Sequence, residues 1–207
     1  SNNPSYICST FFNQMYNSGD PRTFIISRFY YDGLMSLTSP DNRIDLTEEI
    51  LAKGVQMNPR DPGAYSWEPW PTGYDSDIMK EIAETNPSVE VSMARETEPK
   101  LANNFLKSDN PGVVITYAEI NFLLAEAILK GWTVPGDAAT YYERGIRAAM
   151  DFLTDNYGCR KISDDEFATF MGNNGIGYTN EQRKASINTQ AWILHFTNPA
   201  EAWANVR

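Results

Sequence analysis

Four aromatic side chains fall within the ten residues Tyr65-Ser66-Trp67-Glu68-Pro69-Trp70-Pro71-Thr72-Gly73-Tyr74. The prolines fix backbone angles and remove hydrogen-bond donors, so the spacing predicts an irregular loop that holds its rings in place. Tyr65, Trp67, Trp70 and Tyr74 would then present flat, weakly polar faces at small entropic cost. Glu68, with Asp61, Asp75 and Asp77 close by, would accept hydrogen bonds from hydroxyl groups. That combination suits stacking on sugar rings. The competing role for the same rings is to pin a long loop onto the helices beneath it. A hydrolytic use of these carboxylates requires two of them at a defined separation, and a chain with 27 acidic residues contains local carboxylate pairs by chance.

Other chemistry finds little support. His195 is the single histidine and lies between Leu194 and Phe196, the setting of a packed residue. A dyad of Cys159 with His195 has no local motif around it. One histidine and two distant cysteines, Cys8 and Cys159, do not have the ligand spacing of a zinc site, and free thiols are the default reading of the two cysteines. The run Gly172 to Gly177 lacks the lysine and the preceding strand of a phosphate cradle. Asp75-Ser76-Asp77 lacks the later glycine and glutamate of a calcium loop. With a formal net charge of −10, the surface repels phosphate backbones, and nucleic acid is not an expected partner. The expectation is no catalytic residue, no metal and no cofactor.

The elements that must position the aromatic loop divide near Gly112. Residues 1–112 are rich in turn formers, with short helices expected at Tyr6–Tyr16, Thr47–Lys53 and Ser76–Glu84. Phe24 to Tyr31 is both apolar and β-prone and stays open between helix and strand. Residues 113–207 read as helical almost throughout. Thr116-Tyr117-Ala118-Glu119 forms a capping box opening a helix that Gly131 ends, with Ile120, Leu123, Leu124, Ala127 and Ile128 as one wide apolar face. A second helix from about Ala138 to Leu153 turns Tyr142, Ile146, Ala149 and Leu153 inward. The two form a helical hairpin of tetratricopeptide type, in which Leu123, Leu124 and Ile146 are expected to be buried. No second copy appears at a fixed period, so stacking partners for this pair lie elsewhere. Ser163 to Glu166 caps a short helix through Phe170. Thr179 to Gln182 caps a longer one carrying Ile187 to Phe196, and Asn198 to Glu201 starts the last, with proline at its first position. No run approaches the roughly 18 to 20 apolar residues that span a bilayer.

Two stretches exceed generic helix: Val114-Ile115-Thr116-Tyr117-Ala118-Glu119-Ile120-Asn121-Phe122-Leu123-Leu124-Ala125-Glu126-Ala127 with Gly131-Trp132, and Ile187-Asn188-Thr189-Gln190-Ala191-Trp192-Ile193-Leu194 continuing through Asn198, Glu201, Ala202, Trp203 and Arg207. Together with Tyr141 to Met150 and Asp20-Pro21-Arg22, they resemble the signature segments of the SusD/RagB family of outer-membrane nutrient-binding lipoproteins. The resemblance implies a mostly α fold of tetratricopeptide-type helix pairs with long irregular loop insertions. Residues 1–112 would be ligand-face insertions and 113–207 the signature helical region, together one domain belonging to a longer protein. It implies a non-catalytic protein on the outer face of the outer membrane, held by a lipid anchor that this chain lacks. Such a protein passes a nutrient, most often an oligosaccharide, to a TonB-dependent transporter, a SusC-like barrel. The alternatives are a peptide-binding member of the same family and a helical glycoside hydrolase using acidic residues near Trp67 and Trp70. Trp192 and Trp203, in signature helices, are assigned to packing.

Overall fold

The computed structural model describes residues 6–31, 43–61, 73–173, 175–179 and 181–206. The chain falls into two compact units, one of Ser1–Asn17 with Thr23–Ser108 and the other of Ser18–Arg22 with Asp109–Arg207.

In the first unit, α1 (Ser9–Asn17) buries Ser9, Phe11, Phe12 and Met15, a stripe at helical spacing. It begins later than Tyr6. Tyr6 and Cys8 instead form isolated bridges to Lys100 and Arg60, which keeps the entry to the helix extended. The open segment Phe24 to Tyr31 contains both conformations: α2 (Thr23–Ile26) passes directly into the strands β1 (Ser27–Arg28) and β2 (Tyr30–Tyr31). β1 pairs antiparallel with β6 (Lys100–Leu101), and β2 with β3 (Ile44–Asp45). A third pair joins β4 (Tyr74–Asp75) to β5 (Ser92–Met93). Each strand is two residues long, so the ladders act as clamps on the loops and the core is made by side chains. Phe12 lies at its centre, stacked on Tyr16 at 5.6 Å and edge-on to Phe29 at 6.3 Å. α3 (Thr47–Lys53) forms where the sequence places it and stops at Gly54, whose φ of 60° is the left-handed cap that favours glycine. α4 (Asp77–Thr85) starts from Ser76, whose hydroxyl accepts the Met79 N–H.

The second unit is helical: α5 (Tyr117–Leu129), α6 (Ala138–Tyr157), α7 (Asp164–Met171), α8 (Arg183–Leu194) and α9 (Pro199–Val206). Thr116 caps α5 by accepting the Glu119 N–H, Asp137 caps α6, and Ser163 with Glu166 completes the capping box of α7. α8 begins at Arg183, later than its expected caps. Phe122, about two turns before the end of α5, and Tyr142, about one turn into α6, stand with ring centres 6.4 Å apart, which makes the pair an antiparallel hairpin.

The buried side of α5 differs from the expected one. Ala118, Asn121, Phe122 and Ala125 face the interior. Leu123 is 52% exposed, and Leu124 is only half-buried. The reason lies on α6. Gly145 has no side chain at the crossing, and a Cβ placed there would stand 2.5 Å from the Phe122 ring. That gap admits Phe122 and turns the leucines away, while Ile146 is buried as the sequence indicates. Trp203 is 64% exposed, so its ring is not a core residue within these 207 residues, and Trp192 is half-buried.

Candidate functional site

Of the four rings in the aromatic segment, Tyr65, Trp67 and Trp70 lie outside the described residues, as does Glu68. Tyr74 and the ends of the segment are described, and both ends are firmly anchored in the first unit. At the entry, the backbone carbonyl of Arg60 accepts the Ser9 N–H at 2.6 Å, and the Asp61 carboxylate accepts the Ser9 hydroxyl. The Arg60 guanidinium lies 4.2 Å from the Tyr6 ring and 2.8 Å from the buried Glu98 carboxylate. Lys100, itself buried, donates to the Tyr30 carbonyl at 2.8 Å and lies 5.7 Å from the Tyr6 ring. Tyr6 is therefore held between two cations, an arrangement that fixes the backbone on which the segment departs.

At the exit, Gly73 passes so close to β5 that a Cβ would meet Ser92 Oγ at 2.9 Å and the Met93 carbonyl at 3.1 Å. Tyr74 then pairs with Met93 in the ladder. Its hydroxyl is shut off from solvent, with no hydrogen-bond partner among the described residues. Burial, then the nearby charges of Glu49 and Glu96, push the phenol well above its usual range. The Lys53 ammonium lies 5.8 Å from the ring. Glu49 ties this corner together by accepting the Ser76 hydroxyl at 2.6 Å and the Asp77 N–H while pairing with Lys53 at 3.0 Å. Burial alone would raise the Glu49 carboxyl, but these three donors outweigh it and hold the group below its usual value. Tyr74 thus has a half-buried ring and an enclosed hydroxyl, and its backbone belongs to the anchor of the loop.

On the exit side of the segment, Asp75 and Asp77 are engaged with lysines. Asp77 pairs with Lys53 at 3.0 Å and Lys80 at 3.3 Å, and the Lys53 hydrogen bond, then that of Lys80, keeps it below the usual carboxylate range. A general acid for glycoside hydrolysis needs the opposite shift. His195 is buried, with Nε2 3.9 Å from Glu119. Both cysteines are free thiols. Among the described residues no group of histidine, cysteine and carboxylate side chains could hold a metal ion, and no helix is long and apolar enough to cross a membrane.

Sequence reasoning missed the anchor formed by Tyr6, Arg60, Glu98 and Lys100. Its members are far apart in the chain and each is unremarkable locally, so no periodicity or motif joins them. The antiparallel clamp at Tyr30 and Asp45 is similar, with Arg43 stacked 3.9 Å above the Tyr30 ring.

The profile of the family described as "SusD-like, starch-binding associating with outer membrane" matches residues 2–207. Among solved structures, a SusD-like protein of Bacteroidetes AC2a is 47% identical, with a TM-score of 0.88 over 99% of this chain and 42% of its own. A chitin-binding protein is 22% identical, with a TM-score of 0.65 over 97% of this chain and 36% of its own. A SusD homolog from Bacteroides fragilis NCTC 9343 is 22% identical, with a TM-score of 0.57 over 96% of this chain and 38% of its own. The last two likenesses establish the fold alone. The chain spans less than half the length of each of these proteins. Curated protein sequences show no match.

Proposed function

Because the chain belongs to the SusD-like family of starch-binding proteins that associate with the outer membrane, we propose that it is part of a non-catalytic protein that binds a nutrient at the outer face of that membrane. The family match across residues 2–207 carries this reading. The nutrient is an oligosaccharide, delivered to a TonB-dependent transporter barrel, with a lipid anchor holding the protein at the surface. Contact with the sugar comes from the aromatic segment, through Tyr65, Trp67 and Trp70, with Tyr74 at its anchored exit. Indole and phenol faces cover the weakly apolar faces of sugar rings, and Pro69 and Pro71 restrict the backbone that carries the indoles. The lysine-paired state of Asp77 is consistent with binding without hydrolysis.

Titration calorimetry against a glycan panel, run beside a peptide panel, tests this. Trp67→Ala and Trp70→Ala are each expected to weaken binding by about 1–3 kcal/mol with helical content unchanged. Affinity unaltered after both substitutions would place the site elsewhere. Binding confined to peptides would replace the ligand class. Glycan turnover abolished by changing one carboxylate, such as Glu68→Gln, would replace binding with catalysis.

A further inference from the structure

A cleft of about 840 Å³ opens in the second unit where the turn joining α5 to α6 meets the start of α8, a volume typical of small-molecule sites. Ile128, Leu129 and Ala139 supply apolar lining, and the Tyr178 ring adds a flat face. That ring is held in place from within. It lies 5.5 Å from the ring of the fully buried Tyr142, whose hydroxyl donates to the Ile176 carbonyl at 2.7 Å. The charges lining the cleft are of both signs. Glu126 and Lys130, one turn apart at the end of α5, close on each other at 2.8 Å. Asp137, Glu181 and Lys184 line the same cleft, and none of the three is in an ion pair among the described residues. Glu181 and Lys184 would be neighbours on a helix, but α8 begins at Arg183 and leaves Glu181 on the chain before it. The Thr140 hydroxyl, then the Thr140 N–H, hold the Asp137 carboxyl below its usual range, so it is an anion at neutral pH. Burial lifts the Tyr178 phenol; the Arg183 charge opposes that rise and the Asp137 charge adds to it. Charges of both signs therefore reach the aromatic face.

From this cleft we infer a second binding site, separate from the aromatic segment of the first unit, for a small amphipathic zwitterion: an apolar α-amino acid with its amine and carboxylate free. Opposite charges that line one cleft without pairing are neutralised together only by a ligand that carries both. Arg183 and Asp137 act on the same Tyr178 hydroxyl, so their spacing suits two groups on one carbon and not the two ends of a chain. The ammonium goes to Asp137 and Glu181. The carboxylate goes to Lys184 and Arg183, whose guanidinium can hold it with two parallel hydrogen bonds. The apolar side chain lies against Ile128, Leu129 and the Tyr178 face. A polyanion is repelled by Asp137 and Glu181, and a neutral sugar leaves both sets of charge unpaired.

Titration calorimetry of the 207-residue chain with L-phenylalanine tests this. N-acetyl-L-phenylalanine, which lacks the ammonium, and L-phenylalanine amide, which lacks the carboxylate, should each bind about ten-fold more weakly. Lys184→Gln should weaken L-phenylalanine and narrow its advantage over the amide. Glu181→Gln should narrow its advantage over the acetylated compound. Ala139→Trp, which fills the cleft and removes no charge, should abolish binding, whereas Trp67→Ala with Trp70→Ala should leave it unchanged. Lys184, Glu181 and Ala139 are all exposed, and the comparison of the three compounds needs no substitution at all. No binding of L-phenylalanine by the parent chain, or equal binding of all three compounds, overturns the inference. So does binding that survives Ala139→Trp or disappears with Trp67 and Trp70, because the site is then elsewhere.

Discussion

Gly145→Ala isolates the contact that sets the α5–α6 hairpin. Gly145 has ordinary helical geometry, so alanine is compatible with its backbone, and helix propensity alone favours the substitution by about 1 kcal/mol. The added Cβ would stand 2.5 and 2.7 Å from two carbons of the Phe122 ring. That ring is 2% exposed and sits against Tyr142, itself fully buried, so it has little room to withdraw. Overpacking of this kind costs about 1–3 kcal/mol, and with the ring unable to withdraw it is the upper part of that range, about 2–3 kcal/mol, that is set against the propensity gain. The net expectation is a loss of about 1–2 kcal/mol, or roughly 2–8 °C in melting temperature for a chain of this size. Thermal unfolding followed by circular dichroism measures it. Phe122→Leu removes the clashing ring atoms, so the double variant should lose less than the two single variants summed, a coupling of about 0.5–3 kcal/mol. A melting temperature that is unchanged or raised by Gly145→Ala, or strict additivity in the cycle, would refute the argument that the missing Cβ admits Phe122.

The same face makes a paired prediction in urea unfolding: Phe122→Ala should cost about 3–5 kcal/mol, whereas Leu123→Ala should stay within about 0.5 kcal/mol in the 207-residue chain. Asp20→Ala should cost about 3–5 kcal/mol, because it strands the Arg22 guanidinium, which is 1% exposed and otherwise held by Asp20 and by Gln190 at 2.6 Å. Glu166 is held down to about 2 by the Arg160 guanidinium and the Ser163 N–H. Its folded pKa lies below its unfolded value, so its stabilisation is present above about pH 4.5 and is lost as pH falls through about 2. Glu166→Gln should therefore cost about 1 kcal/mol near pH 7, the worth of a cap discounted for an exposed ion pair, and the difference from the parent should vanish near pH 2 in thermal melts.

The sequence by itself determines those features whose physics lies within one turn of helix or one tight bend. Ser163 and Glu166 satisfy each other's backbone donors three residues apart, Gly54 and Gly158 adopt left-handed caps that side chains resist, and Pro199 opens the last helix. The mostly helical character of residues 113–207, and the family signature read on them, follow from such local signals. Tertiary structure decides what those signals leave degenerate. Helix α5 has apolar residues on both sides, so periodicity offers two solutions of similar worth, and only the gap at Gly145 on another helix selects Phe122 over Leu123 and Leu124 for the interior. The buried Asp20–Arg22–Gln190 link and the anchor of Tyr6, Arg60, Glu98 and Lys100 likewise join positions distant in the chain. Each member would read as a surface residue on its own, because burying a charge is favourable only once its partner has been brought to it, and no local pattern records where the partner comes from.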